Sequence, residues 1–417
     1  GRKHGRPCQP DQLTVLVAGA GPAGARLSQR LASQGIAVTL VERLREANQN
    51  AFSSAAIPIQ AVSDLCIPAE AIASCWNGWQ LVDPDGIQHQ WWSQHDLGVV
   101  LNFGSLRHQL WQQAIDAGVE FLLGWRVHSV LTDNDGANVE LIGPNGLCQR
   151  RRVSWVVDAT GHRRLLLGST SASKPSDTDC MLEGAGVEWI LQGDQKTTAH
   201  WRDRVCFFLG CQWIQHGYGW IFPMAGNQLK VGVCRLPPPL TESLEPMSSI
   251  LNRLLIKNQL DQLPVIDRHG GILRSSLRRS EAHVVGRIVG VGDAISTANL
   301  LGGEGIRHAL VSAEVLTPLL VEACCHPPSS NHDKDNKVLM QFERLLRLRL
   351  GWRWNLSGRL AKRTWWGLCD QKGDRRLAGL INGLSMRVSA EDLSRLLFEY
   401  RFERYGLRLL PYLMGWR

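Results

Sequence analysis

Several absences narrow the class of this chain before any motif is considered. No run of about 18 uncharged apolar residues occurs, so no membrane-crossing helix is expected. No C-x-x-C pair occurs either. The eleven cysteines are scattered, with Cys324 and Cys325 adjacent and Cys206 and Cys211 the next closest, which argues against a zinc or iron–sulfur site and reads as a reduced, cytosolic inventory. The opening GRKHGRPCQPDQ lacks an initiator Met and an apolar core, so no secretory signal is expected there. No nucleic-acid-binding motif accompanies the net charge of +8. Basic residues gather at Arg150 to Arg152, at Arg274, Arg278 and Arg279, and above all toward the C-terminus, where lipid headgroups or plain solubility account for them better than nucleic acid. With 417 residues, 44% of them hydrophobic, there is material for two or three domains with sizeable cores.

What is present is concentrated in Val15 to Glu42. Leu13 to Ala18 is an apolar, β-branched run that reads as a buried strand, and it leads into Gly19, Gly21 and Gly24. Pro22 and Ala23 then open a helix that Gly35 ends, and Ala37 to Val41 gives a second strand closing on Glu42, with Arg43 beside it. In such a β-α-β unit Gly19 allows the tight turn, Gly21 lets a pyrophosphate approach the backbone, and Gly24 lets helix and strand pack closely. The helix start supplies free N–H groups and partial positive charge. Glu42 is placed to accept from a ribose hydroxyl, and a carboxylate there disfavours a 2′-phosphate, so NADP is not expected at this site. The pattern leaves FAD and NAD both open.

Ser53 to Trp76, with two prolines and short apolar runs, reads as a loop and a short helix. Trp76 to Gln94 holds four tryptophans around the turn Asp83-Pro84-Asp85-Gly86 and reads as a hairpin. Leu106 to Ala117 gives a helix ended by Gly118; Val119 to Leu123, Arg126 to Thr132, Val139 to Ile142 and Arg152 to Val157 give strands. The last runs into Asp158-Ala159-Thr160-Gly161, a small-residue turn able to wrap phosphates and adenosine. From about Ser176 to Glu281 strands alternate with long polar connections, and Glu245 to Leu263 is helical, so a mostly antiparallel sheet is expected to be inserted into the nucleotide-binding fold.

Arg287 to Val291 is another buried strand, ending at Gly292-Asp293. Gly302-Gly303-Glu304-Gly305 then opens a helix with an apolar stripe at Ile306, Ala309, Leu310 and Ala313. Asp293 is placed to accept from a ribitol hydroxyl, and the Gly305 helix start to face a flavin pyrimidine. His326, His332 and Asp333 sit in a linker by composition and are expected to be solvated, so no metal site is assigned. Met340 to Arg417 reads as helices, with Leu345, Leu348, Trp352 and Leu356 on one face. Arginines and lysines surround Trp352, Trp354, Trp365 and Trp366. Peripheral membrane contact and a helical cap over the substrate stand side by side as readings of this region.

The three sites in this order, Gly19 to Gly24, Asp158 to Gly161 and Gly292-Asp293, resemble the flavoprotein family of aromatic hydroxylases, geranylgeranyl reductases, lycopene cyclases and flavin-dependent halogenases. The resemblance covers roughly the first 325 residues. It implies FAD as cofactor, with Arg43, Arg107 and Val127 joining the cofactor set. Within the family the chain is most similar to the geranylgeranyl reductases. Gly302-Gly303-Glu304-Gly305-Ile306 matches their Thr-Gly-Glu-Gly-Ile helix start apart from its first residue, and Tyr218-Gly219-Trp220-Ile221-Phe222-Pro223 fits their Tyr-x-Trp-x-Phe-Pro cavity element. No lysine occurs between His4 and Ser173, which removes the halogenating lysine; Ile295 stands where hydroxylases place a His. Two departures remain: Ser53 to Pro58 replaces the reductases' cysteine-containing element, and their Asp-Gly motif has become Asp158-Ala159-Thr160-Gly161.

The expected architecture is α/β. A Rossmann-type FAD-binding domain, a parallel sheet with helices, is built from residues 12–75, 100–175 and 282–325. A mostly antiparallel substrate domain comprises 76–99 and 176–281, and a helical C-terminal region 338–417. The expected activity is that of an FAD-dependent oxidoreductase acting on a small hydrophobic substrate, an isoprenoid lipid or pigment whose C=C bond is reduced. The electron donor, NADPH, NADH or ferredoxin, is left open, Tyr218 and Trp220 are the candidate catalytic residues, and the location is cytoplasmic or peripheral at a membrane. An FAD-dependent monooxygenase and a redox-inactive flavin-binding or carrier protein are the alternatives, and the oligomeric state is left open.

Overall fold

Thr14–Ala18, apolar and buried on both faces, forms the middle of a six-stranded sheet in a computed structural model that describes residues 14–169, 181–277, 279–325 and 332–402. On one side Ala37–Glu42 and then Glu120–Leu123 pair in parallel; on the other, Trp155–Asp158 and then Ile288–Gly290 do the same. Only Val284–Val285, at the edge, is antiparallel. Strand order therefore reverses beside Thr14–Ala18, and the crevice at a reversal, outside the carboxyl ends of the strands, is where such sheets bind ligands. Gly19, Glu42, Ala159 and Gly292 all lie along that edge.

Helices Pro22–Ser33 and Ile306–Cys325 pack on each other beside this sheet. Ile306–Cys325 is long and apolar enough to cross a membrane by length and composition, but more than half of its apolar window is buried inside the fold. Two small antiparallel sheets flank the large ones: Ala56–Pro58, Gly98–Leu101 and Ile72–Trp76, and Arg126–Thr132, Ala137–Ile142 and Cys148–Val153.

The inserted sheet has seven strands in the order Val265–Ser276, Met181–Gln192, Gln228–Arg235, Gly217–Met224, Arg204–Leu209, Gly78–Val82, Gln88–Trp92. Every pairing is antiparallel except that of Arg204–Leu209 with Gly78–Val82. The hairpin Gly78–Trp92 thus reaches the sheet from a distant part of the sequence.

Several local expectations are corrected. Arg152 to Val157 is two strands in two sheets, separated at Ser154, whose N–H donates to Thr14 and so swings the chain from one sheet to the other. The helix expected from Leu106 begins at Phe103, because Asn102 caps it by accepting from the Ser105 N–H at 3.0 Å. The helix expected over Glu245 to Leu263 is Met247–Lys257, and the long strand Val265–Ser276 follows it. In the helix His332–Gly367 the buried face is not the expected one. Phe342, Leu346, Trp354 and Trp365 are buried, while Leu348 is 69% and Trp352 58% exposed. Gly351, at φ +85°, interrupts the helix, yet the buried residues keep three- and four-residue spacing across it; the apolar residues supply two neighbouring stripes, and the one through Phe342 and Leu346 faces inward.

Helix and sheet cross very closely at Gly24. A Cβ there would overlap the Gly19 carbonyl and stand 2.9 Å from the Ala159 Cβ. Gly24→Ala is expected to cost about 3 kcal/mol by overpacking, read as a lowered Tm in thermal unfolding. An unchanged Tm would show that helix and sheet can separate freely here.

Candidate active site

The glycine turn after the first strand is held from two sides. The Ala20 N–H donates to Glu42 Oε2 at 2.8 Å, and the Trp111 indole donates to the Ala20 carbonyl at 2.7 Å. Glu42 is buried, and its other oxygen accepts from the Leu44 N–H at 2.9 Å. Its first role is therefore to shape the turn, and a ribose hydroxyl would share its remaining lone pairs. Asp158 is more fully committed. It accepts from Thr160 N, Thr160 Oγ1, Leu166 N and Leu167 N, between 2.6 and 3.0 Å, and so folds the turn that presents Ala159 and Gly161.

A cavity of about 260 Å³ opens at the sheet edge. It brings together Gly21, Pro22 and Ala23 from the first helix start, Gly161 from the second turn, Gly292 and Asp293 from the third, and Gly303, Gly305 and Ile306 from the last helix start. The cavity does not include Gly19, Gly24, Glu42 or Asp158, which lie behind its wall. Arg43 is exposed, and Val127 packs half-buried against the first core from a flanking sheet.

The residues present suit FAD. A Cβ on Gly21 would meet nothing within 4 Å, so the backbone N–H groups there are open to a phosphate. Asp293 presents a shielded Oδ1 with no partner, and burial pushes its carboxyl up to about 6. A buried acceptor of this kind calls for a hydroxyl.

Two buried cations fix the segment that follows Glu42. Arg107 donates to the Ala47 and Gln49 carbonyls at 2.6 and 2.7 Å; it lies beneath the surface and holds this loop. Lys230 donates to the Ser53, Ser54 and Leu101 carbonyls at 2.9 to 3.2 Å, and burial lowers its pKa. Phe52, between these anchors, lies over Gly186 and Gly271 of the seven-stranded sheet and lines the cavity.

A second cavity, of about 240 Å³ and almost wholly apolar, lies between the seven-stranded sheet and the C-terminal helices. Ser53, Ser54, Tyr218, Gly303, Gly305, Ile306 and Trp365 line both, so the two cavities are separated by one wall. Tyr218 donates to the Gly302 carbonyl at 2.9 Å, and burial holds its phenol well above the ordinary range. This bond seats its hydroxyl in the wall between the two cavities. Trp220 lines the cofactor-side cavity and donates to the buried Glu188 at 3.0 Å; Glu188 also bonds His269 at 2.8 Å. Burial alone would lower the His269 pKa, but Glu188 and Asp267 outweigh it and hold it above the usual value. His326 lies outside the described residues, as do the side chains of His332 and Asp333.

Phe52, Lys230 and the cap residues Ile381, Leu397 and Phe398 carry no motif and are found only through the fold. Lys230 had one signal in the sequence, a lone lysine in an otherwise apolar strand.

Two outcomes follow. Gly21→Val adds atoms only toward the cavity, so the protein is expected to fold with an unchanged Tm in the cofactor-stripped state yet to purify without flavin absorbance. A yellow variant would overturn this placement. Asp293→Asn tests the buried acid. The folded carboxyl, at about 6, lies above its unfolded value, so ionisation opposes folding: the penalty is full above pH 6 and absent below about pH 4. Asn is therefore expected to stabilise the cofactor-stripped protein by about 2 kcal/mol at pH 8 and by nothing near pH 4, read from Tm against pH.

With this geometry in hand, comparison with known proteins is direct. A family model described as an FAD binding domain matches residues 12–57. A digeranylgeranylglycerophospholipid reductase of Haloferax volcanii is 25% identical over 321 residues, covering 73% of this chain and 75% of its own length. The chloroplastic geranylgeranyl diphosphate reductase of Oryza sativa subsp. japonica is 22% identical over 362 residues, covering 80% and 72%. Among solved structures, a geranylgeranyl bacteriochlorophyll reductase-like protein from Thermoplasma acidophilum superposes with a TM-score of 0.76 at 19% identity, over 94% of this chain and 98% of that one. The p-nitrophenol 4-monooxygenase of Pseudomonas putida shares the fold at a TM-score of 0.65 and 16% identity, over 93% of this chain and 98% of that one. The chain carries a Rossmann-type FAD-binding domain and is an FAD-dependent oxidoreductase similar to the geranylgeranyl reductases.

Proposed function

We propose that the chain reduces carbon–carbon double bonds of an isoprenoid lipid or pigment. The observation that carries this reading is the apolar cavity sharing one wall with the cofactor cavity: a long hydrocarbon chain seated there lies beside the flavin site without crossing polar ground. FAD, when bound, supplies a hydride to one carbon of the double bond, and a proton completes the other. The chain's own residues orient and exclude water. Gly303 to Ile306 and Tyr218 form the wall, Phe207 and Phe222 back the substrate from the sheet, and Ile381, Leu397 and Phe398 close it from the cap. The names of the relatives, reductases of geranylgeranyl lipids and diphosphates, support the same substrate class.

A cytoplasmic protein resting on a membrane suits such a substrate. Exposed Leu348 and Trp352 among Arg344, Arg347 and Arg349 give a basic, apolar face for it. NADPH or NADH is the proposed electron donor.

The test is anaerobic incubation of the FAD-loaded protein with a reduced nicotinamide, or with dithionite, and a geranylgeranyl lipid. The expected product has gained two hydrogens for each double bond reduced. An oxygenated product formed only in air would establish the monooxygenase instead, and bound FAD with no turnover under either reductant would establish a carrier. Leu397→Trp, which fills the apolar cavity away from the cofactor, is expected to keep flavin and lower turnover of a long-chain substrate at least about tenfold. Undiminished turnover would place the substrate elsewhere.

A further inference from the structure

On the side away from the cofactor cavity, the apolar cavity borders a further pocket. Leu360, Thr364, Leu377 and Leu380 line the cavity there, and the same four side chains line the pocket, of about 90 Å³. The other walls of this pocket differ in kind, because they include Arg363 and Arg376. Helices His332–Gly367 and Gln371–Ser385 meet at this point, and a Cβ on Gly373 would overlap the Gly367 carbonyl, so the corner is closely packed and its shape is fixed.

The nearest carboxylates are turned to other work. Asp370 caps the second helix by accepting from the Gly373 N–H at 2.8 Å, and Asp374 accepts from the Cys211 N–H at 3.0 Å. Among the described residues, neither Arg363 nor Arg376 has a carboxylate within ion-pair distance. By contrast Arg26, Arg151, Arg152, Arg253 and Arg307 all do. Arg363 is exposed and Arg376 half-buried, so both reach a ligand arriving from solvent. Two unpaired guanidiniums beside a hydrocarbon slot suit an amphiphile with a phosphate or diphosphate oxyanion at one end.

We propose that this pocket binds the phosphate or diphosphate head of the substrate, with its chain running through the apolar cavity toward the cofactor wall at Tyr218 and Gly303. The assignment rests on the substrate class proposed above and adds to it an anionic head and a direction of entry. A phospholipid and a free prenyl diphosphate offer the same chemistry here.

The experiment is calorimetric binding to the full-length FAD-loaded protein, which needs no turnover. The probes are geranylgeranyl diphosphate, geranylgeraniol, which has the same chain without the anion, and a geranylgeranyl phospholipid dispersed in neutral detergent. Arg363→Gln/Arg376→Gln is expected to weaken an anionic probe about ten- to hundredfold and geranylgeraniol less than about twofold. Arg376→Lys, keeping a point charge, is expected to retain part of the affinity. Loss on the diphosphate alone or on the phospholipid alone supports the site and identifies its source. Equal loss on all three probes, or none on either anionic probe, overturns it. Unchanged flavin content and Tm verify the fold, and exposed Arg363→Gln alone serves if the double variant does not fold. Binding of an anionic probe in the predicted pattern, with no product in the anaerobic assay that supplies a reductant, would sink the reductase reading and leave this site standing.

Discussion

At Gly19, Gly24 and Ala159 three backbone segments from the first strand, the first helix and the neighbouring strand end converge more closely than side chains permit. A Cβ on Gly19 would overlap the Ala159 carbonyl, and one on Gly24 would overlap that of Gly19. Because the three segments meet here, the first helix points its free N–H groups into the crevice at the strand-order reversal. Glu42 and Trp111 then lock the turn from outside, one taking the Ala20 N–H and the other giving to the Ala20 carbonyl. The position of everything else in the cofactor cavity is measured from this contact.

The wall between the two cavities depends on a different interaction. Glu304 and Arg307 form a two-point ion pair at 2.7 and 2.8 Å, buried beside the cap, and Arg307 also donates to the Phe398 carbonyl at 2.7 Å. Burial raises the Glu304 carboxyl, with Arg307 opposing the rise. A buried pair of this kind contributes little net stability, but losing one partner costs about 3–5 kcal/mol. Its consequence here is coupling: the helix start that faces the cofactor and the last described helix that closes over the apolar cavity are tied by one guanidinium. Tyr218 adds a third strut by bonding the Gly302 carbonyl from the sheet.

The cofactor half was legible in the sequence because backbone geometry dictates it. Only glycine serves at Gly19 and Gly24, only a small residue leaves the crevice open at Gly21, and each leaves a mark at fixed spacing. The same logic made the turn at Asp158 visible but said nothing of its side chain, which the structure turns inward to four backbone and hydroxyl donors. The substrate half was less legible. Any apolar residue can line a hydrocarbon slot, so Ile381, Leu397 and Phe398 look in sequence like ordinary helix cores. The buried face of the long helix was hidden because apolar residues stand on two neighbouring stripes, and spacing alone does not say that Phe342 and Leu346 rather than Leu345 and Leu348 turn inward. Phe52 was hidden because a polar loop carries no period at all.

This difference bears on how the site divides its work. Asp293, Lys230, Glu188 and His269 stand on the cofactor side or behind the sheet, while the apolar cavity, apart from the Glu304–Arg307 pair in its wall, offers mainly surface. Trp220 links the two regimes. It lies flat where a Cβ on Gly232 would overlap its ring, and Glu188 fixes its indole from behind. A side chain so pinned cannot follow a substrate, so the cofactor-side wall is rigid and adaptation to chain length falls to the cap. The cap is built for that, because its leucines and Ile381 present interchangeable hydrocarbon, and a methylene gained or lost against such a surface changes binding by only about 1–3 kcal/mol. Strong discrimination must then come from the ends of the substrate, where charge meets charge and the double bond meets the cofactor wall.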